Sequence, residues 1–206
     1  MKEIKAPPIA NGRTAEIYSW KEGEVLKLFY DWVKLEDIKN EVRIVRTIHA
    51  CGLPIPTVGD LIHVNGRTGL IYQREYGDNM WKNLSQKPWR VFDYAGRMAK
   101  LHFQIHTRTI QGEIPFQEQK LFAKIRDAES IPSRLKSKAL SALETMPNNN
   151  QLCHGDLHPG NILMTADGEV IIDWIDSSIG NPLADLARTT ILILGAMETP
   201  QIKGSL

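Results

Sequence analysis

The stretch that decides the fold of this chain is His-Gly-Asp-Leu-His-Pro-Gly-Asn at residues 154–161. Two short apolar segments follow it, and the turn residues between them predict a β-hairpin over residues 161–173. Asp156 lies before this hairpin, Asn161 begins it and Asp173 ends it. Three oxygen-bearing side chains are therefore expected to converge on one hairpin.

The chemistry and spacing of these three residues indicate phosphoryl transfer. Carboxylate and amide oxygens are the ligands that Mg²⁺ prefers, with phosphate oxygens completing the octahedron. A further carboxylate that stays off the metal can orient a hydroxyl group and accept its proton. Asp156 and Asn161 are separated by the same five positions as the base and the metal-binding Asn of the kinase catalytic loop. The alternative interpretation is three turn residues that cap a hairpin.

A buried charge is predicted in the strand at residues 24–29, where Lys27 has apolar neighbours on its own face. A buried ammonium group needs a partner. In the helix predicted over residues 32–50, Glu41 falls within the apolar face of the helical wheel. We therefore predict that Lys27 and Glu41 neutralise each other, in the arrangement that protein kinases use to hold ATP phosphates. A purely structural ion pair is the alternative.

A candidate loop over the phosphates lies upstream, at residues 11–18. It contains one glycine, so taken alone it is a weak signal. Gly12, Arg13 and Thr14 are the residues of this loop that we predict to contact the nucleotide.

The chain divides into a β-rich half and a helical half. The first half contains strands and one helix, with Asn65-Gly66 as a hairpin signal. From Gly77 onward the pattern becomes helical, apart from the hairpin at 161–173. We predict a nucleotide-binding lobe at residues 1–76 and a catalytic lobe at residues 77–206.

The composition excludes several classes of protein. Twenty-five basic and 24 acidic side chains give a net charge of +1, which is not typical of nucleic-acid or polybasic membrane binding. No apolar run approaches the ~18 residues that a membrane helix needs. Two cysteines are too few for a secreted disulfide framework. We therefore expect a cytoplasmic protein without a nucleic-acid or membrane partner.

The chain resembles the aminoglycoside phosphotransferase and choline kinase family, within the protein-kinase-like fold. The resemblance implies an α+β, two-lobed fold, with a small antiparallel sheet and one helix in the first lobe and a mainly helical second lobe. The motifs that carry it span nearly the whole chain: residues 52–56, 99–102, 154–161, 171–174 and 180–187.

The resemblance also implies a role for each matching residue. Asp156 would be the catalytic base, and Asn161 and Asp173 the ligands of Mg²⁺. Lys27 would bind the phosphates of ATP, with Glu41 as its partner. The implied acceptor is a hydroxyl group of an aminoglycoside-, choline- or sugar-like small molecule.

Other functions remain open on the sequence alone. A small atypical protein kinase would share the fold, although Asp173 is followed by Trp174 and no Ala-Pro-Glu motif follows. A nucleotide-binding pseudokinase is a second alternative. It is favoured by the 21 residues that follow Asp185 in a chain of 206, which predict a minimal or truncated second lobe. A metallohydrolase that uses His154, Asp156 and His158 is a third, although His154 is better explained as a loop-supporting hydrogen-bond partner.

Overall fold

A computed structural model of the chain describes residue 4 and residues 6–110, 113–147 and 149–197. The ends of the two predicted lobes, at 1–3 and 198–206, lie outside these residues. The strands are β1 (Ala10–Asn11), β2 (Ala15–Ser19), β3 (Glu24–Phe29), β4 (Val58–Val64), β5 (Arg67–Gln73), β6 (Gly77–Asn79), β7 (Gln151–Cys153), β8 (Ile162–Thr165), β9 (Gly168–Ile171) and β10 (Ser178–Gly180). The α-helices are α1 (Leu35–His49), α2 (Met80–Gln86), α3 (Val91–His106), α4 (Gln117–Asp127), α5 (Ser133–Glu144) and α6 (Pro182–Met197).

The described residues form two compact units. The first contains the described residues through Asn83 together with Gly160–Ile175, and the second contains Leu84–Pro159 with the described residues from Asp176 onward. The hairpin formed by β8 and β9 therefore groups with the N-terminal strands, although it lies late in the sequence. The assignment of nucleotide binding to residues 1–76 and catalysis to residues 77–206 stays a prediction.

The first unit contains an antiparallel five-stranded sheet with the order β1-β2-β3-β5-β4. Strands β4 and β5 are joined by the hairpin predicted from Asn65-Gly66, and both residues have positive φ, at 52° and 80°. A two-residue turn with positive φ at both positions matches the twist of the strands that it connects. The hairpin prediction is thus confirmed.

Alternation along β3 separates the two faces of this sheet. Leu26 and Leu28 pack with Val64 on one face. Phe29 packs on the opposite face with Ile38 and other residues of α1. Because side chains alternate along a strand, Lys27 shares the face of Phe29 and lies against the helix that carries Glu41.

The helical character predicted from Gly77 onward is wrong for the first three residues. Gly77–Asn79 form β6, which pairs with β8 in an antiparallel three-stranded sheet of order β6-β8-β9. A side chain at Gly77 would lie 2.2 Å from the Met164 carbonyl oxygen. Pairing with a distant strand decides this segment, and local periodicity carries no signal for such pairing.

The second unit contains α3 to α6 and the antiparallel pair β7 and β10. Helix α3 buries one face, which comprises Tyr94, Met98, Leu101, His102 and Ile105. β7 is buried at Leu152 and Cys153, and it leads directly into the loop that carries Asp156. Among the described helices, none is both long enough and apolar enough to cross a membrane.

Candidate active site

Glu41 is the centre of a buried hydrogen-bonded cluster in the first unit. The Nζ atom of Lys27 on β3 lies 2.7 Å from Glu41 Oε1 on α1, so the ion pair predicted from the sequence is confirmed. The hydroxyl group of Tyr72 on β5 donates to the same oxygen at 2.7 Å. The Glu41 side chain is only 2% exposed, so these two donors replace water at Oε1, whereas Oε2 is buried without a hydrogen-bond partner among the described residues.

Tyr72 is a member of this cluster that sequence reasoning did not identify. It lies opposite Val25 in the pairing of β3 with β5, which places it on the same face of the sheet as Lys27. The alternation of side chains along β5 could have indicated from the sequence that Tyr72 faces α1. Tyr72 is two residues after the buried Leu70, and residues two apart share a face.

Lys27 carries a positive charge in this environment. Burial lowers the pKa of Lys27, but the carboxylates of Glu41 and Asp173 more than offset it and hold the pKa above its usual value. Burial, followed by the adjacent Glu41 carboxylate, raises the pKa of Tyr72 well above its usual value. The cluster therefore presents a fixed ammonium group and a neutral phenol at neutral pH.

Asp173 lies beside this ammonium group, with its Oδ1 atom 3.5 Å from Lys27 Nζ. Its backbone has a positive φ of 63°, which is uncommon for a residue other than glycine. The Ile172 amide donates to the Asn161 carbonyl at 3.0 Å, so Asn161 and Asp173 lie at the same end of the β8–β9 hairpin. Strained backbone of this kind is concentrated at functional sites.

The residues at this end of the hairpin fit Mg²⁺. Asp173 offers a carboxylate that is 44% exposed, and Asn161 offers an amide oxygen. Both are hard oxygen donors of the type that Mg²⁺ takes alongside phosphate oxygens. Lys27 lies close enough to Asp173 to contact a phosphate held there. The metal-binding role of Asn161 and Asp173 stays a prediction.

The segment predicted as a phosphate loop is shorter than expected. Gly12, Arg13 and Thr14 form a tight turn between β1 and β2, in which the Gly12 amide donates to the Ala15 carbonyl at 2.8 Å. The prediction of a loop is wrong for Asn11 and for residues 15–18, which lie in the two strands. Pairing of β2 with β3, and of β1 with β2, draws those residues into the sheet. Contact of the turn with a nucleotide remains a prediction.

In the second unit, Asp185 holds the loop that carries Asp156. The amide of His154 donates to Asp185 Oδ2 at 3.0 Å, and the amide of Gly155 donates to Asp185 Oδ1 at 2.8 Å. The Asp156 amide donates to His154 Nδ1 at 3.1 Å, which confirms the loop-supporting role predicted for His154. Gly155 has φ of 78°. Asp185 is 1% exposed, so the loop is attached to a buried carboxylate from helix α6.

Two histidines from α3 extend this network. His106 Nε2 lies 2.9 Å from Asp185 Oδ2, and His102 Nε2 lies 3.2 Å from Thr189 Oγ1. Because the Thr189 hydroxyl donates to the Leu157 carbonyl at 2.8 Å, it accepts from His102. The ligand atoms of His102, His106 and Asp185 lie within 4.8 Å of one another. Asp185 Oδ2 already accepts from His106 and the His154 amide, so we interpret the cluster as structural.

These interactions shift two pKa values in the network. Burial lowers the pKa of His102 to about 4. Burial raises the pKa of Asp185, but the hydrogen bond from His106 and those from the Gly155 and His154 amides outweigh it and give a lowered pKa. His102 is therefore neutral and Asp185 is ionised at neutral pH.

Arg188 contacts the predicted base, and sequence reasoning did not identify it. Its Nη2 atom lies 3.4 Å from Asp156 Oδ1, and its Nε–H donates to the Gly155 carbonyl. Arg188 follows Asp185 by three positions on α6, and residues three apart on a helix share a face. This spacing could have indicated from the sequence that Arg188 lies near the same loop. His158 Nε2 lies 3.9 Å from the other Asp156 oxygen.

The predicted site residues are thus distributed over both units. The first unit brings Lys27, Glu41 and Asp173 together and holds Asn161 on the same hairpin as Asp173. The second unit holds Asp156, on the loop that Asp185 and Arg188 support.

Comparison with known proteins shows which family has this sequence pattern and fold. A family model described as the phosphotransferase enzyme family matches residues 5–200. The acyl-CoA dehydrogenase family member 10 of Mus musculus is 27% identical over an alignment of 190 residues, and the match covers 81% of this chain and 18% of that protein. The chain thus spans less than a fifth of the length of this curated relative.

Solved structures of phosphotransferases share the fold. A thermostable mutant of the aminoglycoside phosphotransferase APH(4)-Ia, in its apo form, matches with a TM-score of 0.68 and 18% identity, covering 96% of this chain and 75% of that one. The amicoumacin kinase hAmiN, in complex with AMP-PNP, Ca²⁺ and Ami, matches with a TM-score of 0.66 and 15% identity, covering 94% and 65%. The predicted α+β, protein-kinase-like fold is confirmed.

Proposed function

Because the chain belongs to the phosphotransferase enzyme family, we propose that it transfers the terminal phosphoryl group of ATP to a hydroxyl group of a small molecule. The observation that carries this proposal is the buried Lys27–Glu41 pair, with Lys27 Nζ 2.7 Å from Glu41 and 3.5 Å from Asp173. A lysine held between a buried glutamate and an aspartate is the arrangement that places a cation on nucleotide phosphates. A nucleotide analogue is bound by the structurally similar amicoumacin kinase, which supports ATP as the donor.

The role of Lys27 follows from its surroundings. The Tyr72 hydroxyl group donates to Glu41 Oε1, and the same oxygen accepts from Lys27 and so positions its ammonium group. The ammonium group then neutralises charge on the phosphates of the nucleotide. Mg²⁺ bound by Asn161 and Asp173 would supply further neutralisation of the phosphate charge.

Asp156 is the proposed base. The acceptor hydroxyl donates to the Asp156 carboxylate, which takes the proton as the hydroxyl oxygen bonds to phosphorus and the bond from phosphorus to the bridging oxygen of ADP breaks. Asp185 positions the loop, because its two oxygens accept the backbone amides of the two residues that precede Asp156. The products are the phosphorylated acceptor, ADP and a protonated Asp156 that releases its proton to solvent.

The test is formation of ADP from Mg-ATP by the purified chain, across a panel of hydroxylated small molecules and one generic protein substrate. Asp156→Asn should reduce acceptor-dependent turnover by ~10²- to 10⁴-fold, the range for loss of a general base, without weakening nucleotide binding. Lys27→Met should weaken nucleotide binding itself. Turnover with the generic protein substrate, and with none of the small molecules, would favour a protein kinase instead. Nucleotide binding without turnover on any acceptor would favour a pseudokinase.

A further inference from the structure

Three cationic side chains converge on one aspartate in the second unit. Lys124 Nζ lies 2.9 Å from Asp176 Oδ1, and Lys120 Nζ lies 3.6 Å from the same oxygen. Arg188 Nη2 lies 3.7 Å from Asp176 Oδ2. Asp176 is 13% exposed, whereas Lys124 and Arg188 are 53% and 41% exposed. The cations therefore remain accessible to a ligand while the aspartate between them does not.

This cluster is continuous with the proposed base. Arg188 Nη2 lies 3.4 Å from Asp156 Oδ1, so one guanidinium group contacts both Asp156 and Asp176. In these contacts three cations share two carboxylates, and the carboxylate of Asp176 is largely shielded from solvent. Asp185 adds no exposed negative charge, because it is buried and accepts the backbone amides of the same loop.

The three cations also act on one another. Burial is the main reason that the pKa of Lys120 is lowered; Asp176 opposes this lowering, and repulsion from Lys124 and Arg188 adds to it. An anion placed beside Lys124 and Arg188 would relieve this repulsion. A cationic group in the same place would increase it, since like charges a few ångströms apart repel strongly at the reduced dielectric of a protein surface.

An acceptor whose hydroxyl reaches Asp156 has the rest of its structure within reach of Arg188. We propose that the phosphoryl acceptor carries an anionic group, a carboxylate or a phosphate, which Arg188 and Lys124 bind while its hydroxyl group contacts Asp156. A planar guanidinium group with several donors is suited to either anion. This inference rests on the proposed function and names its substrate class. It disfavours aminoglycosides and choline-like amines, whose positive charges the cluster would repel.

The test compares acceptors that differ only in charge. The panel contains ω-hydroxycarboxylates of graded chain length, the diols and amino alcohols of the same lengths, and gluconate with glucitol and glucosamine. ADP formation from Mg-ATP gives kcat/KM for each acceptor. We expect the hydroxycarboxylates or gluconate to exceed their neutral counterparts by about tenfold or more, the effect of one hydrogen bond to a charged group. The preference should shrink as KCl is added, because salt screens partly exposed charges.

Substitutions then test whether Arg188 and Lys124 cause the preference for anionic acceptors. Arg188→Gln should reduce the ratio of kcat/KM for anionic over neutral acceptors by about tenfold, and Arg188→Lys should restore part of it. Since Arg188 also contacts the Gly155 carbonyl, Lys124→Gln is the second variant. It leaves that contact in place and should lower the same ratio by about threefold, as for an exposed ion pair. Lys138→Gln, which removes an exposed charge on α5, is the matched control and should leave the ratio unchanged.

The outcomes are distinguishable. Turnover that favours neutral or cationic acceptors overturns the anionic acceptor and leaves the proposed function intact. An anionic preference that persists in both Arg188→Gln and Lys124→Gln overturns the assignment to this cluster. If no acceptor of any charge supports ADP formation although Mg-ATP binds, the proposed function fails and this inference fails with it.

Discussion

The Nε2 atom of His106 lies 2.9 Å from the Oδ2 atom of Asp185, and this contact places a helix of the second unit against the carboxylate that holds the proposed catalytic loop. Asp185 also accepts the amides of His154 and Gly155. An asparagine at position 185 would offer one acceptor oxygen in place of two, and its side-chain N–H donors would face the backbone amides of the loop.

Asp185→Asn is therefore expected to lower the free energy of unfolding by about 2–4 kcal/mol, through loss of a buried charged hydrogen-bond acceptor. Urea unfolding measures this change. Asp127→Asn, on an exposed side chain, should change the same quantity far less than Asp185→Asn does. Equal effects of the two substitutions would contradict the structural role of Asp185.

Acid sensitivity is expected from His102. Its pKa is lowered to about 4 in the folded state, whereas the unfolded chain protonates it near pH 6.5. The unfolded state then binds more protons between these values, so stability falls as the pH drops from 6.5 to 4, by up to about 3 kcal/mol. Asp185 has a lowered pKa, so its contribution is lost at lower pH, below about pH 4.

Urea unfolding across pH 4 to 7 tests this expectation. His102→Gln keeps a donor for Thr189 and cannot titrate, so its stability should change less over the window. The matched variant His63→Gln, on an exposed side chain, should retain the wild-type slope. A wild-type slope in His102→Gln would show that other groups account for the acid sensitivity.

Asp173 should affect activity far more than stability. Its φ of 63° suits glycine, so in Asp173→Gly the relief of strain, of up to ~1 kcal/mol, opposes the loss of the 3.5 Å contact with Lys27. We therefore expect the free energy of unfolding to stay close to that of the wild type. The same substitution removes the proposed metal ligand and should abolish ADP formation. Asp173→Asn should lose activity and, without the relief of strain, should be less stable than Asp173→Gly. Full activity in Asp173→Gly would rule out its proposed role.

Substitutions of Glu41 and of its hydrogen-bond partner Tyr72 should differ in their effects on nucleotide binding. Glu41→Gln removes the nearer of the two carboxylates beside Lys27 and leaves only Asp173, at 3.5 Å, as a counter-charge. We therefore expect a loss of about 1.5–3 kcal/mol in stability, the range for a hydrogen bond to a charged group, and weaker Mg-ATP binding. Tyr72→Phe removes one hydrogen bond, at about 1 kcal/mol, and leaves the Lys27 contact. The Kd for Mg-ATP, measured by calorimetry, should therefore increase less in Tyr72→Phe than in Glu41→Gln. Equal losses of affinity would mean that Tyr72 also acts on the nucleotide.

Gly155 should not tolerate a side chain. A Cβ atom there would lie 2.3 Å from the Asp176 carbonyl oxygen, in a residue whose φ is 78°. Gly52 has a similar φ of 70° and open space around its Cα, so Gly52→Ala isolates the cost of the backbone conformation. We expect Gly155→Ala to destabilise more than Gly52→Ala in urea unfolding and to reduce ADP formation as well. Similar losses in both variants would show that the contact with Asp176 is unimportant.

Much of the fold follows from local patterns. The strand that carries Lys27, the Asn65-Gly66 hairpin and the helix that carries Glu41 were predicted because alternation, turn chemistry and helical periodicity are short-range properties. The Lys27–Glu41 pair was predicted for a related reason. Each residue is a charge at a position that the pattern otherwise buries, and two such charges require each other.

Strand β6, the tight turn at Gly12 and the partnership of Tyr72 with Glu41 were not predicted from the sequence. Each depends on which strand pairs with which, and strand pairing between distant segments carries no local signal. A tyrosine two residues after a buried leucine is consistent with many environments. Only the register of β3 against β5 places it beside Glu41.

The sequence by itself therefore determined the kinase-like composition of the site: the Asp156 loop, the hairpin that follows it, and the two charges that must pair. The family resemblance implied a structural role for Asp185, but only the tertiary structure showed that it holds the amides of His154 and Gly155. The tertiary structure alone decided that Arg188 contacts Asp156 and that two lysines from α4 meet Arg188 at Asp176. The physical reason is one of range. Periodicity and turn chemistry act between near neighbours in the chain, whereas a shared electrostatic environment is assembled only when distant helices and loops pack together.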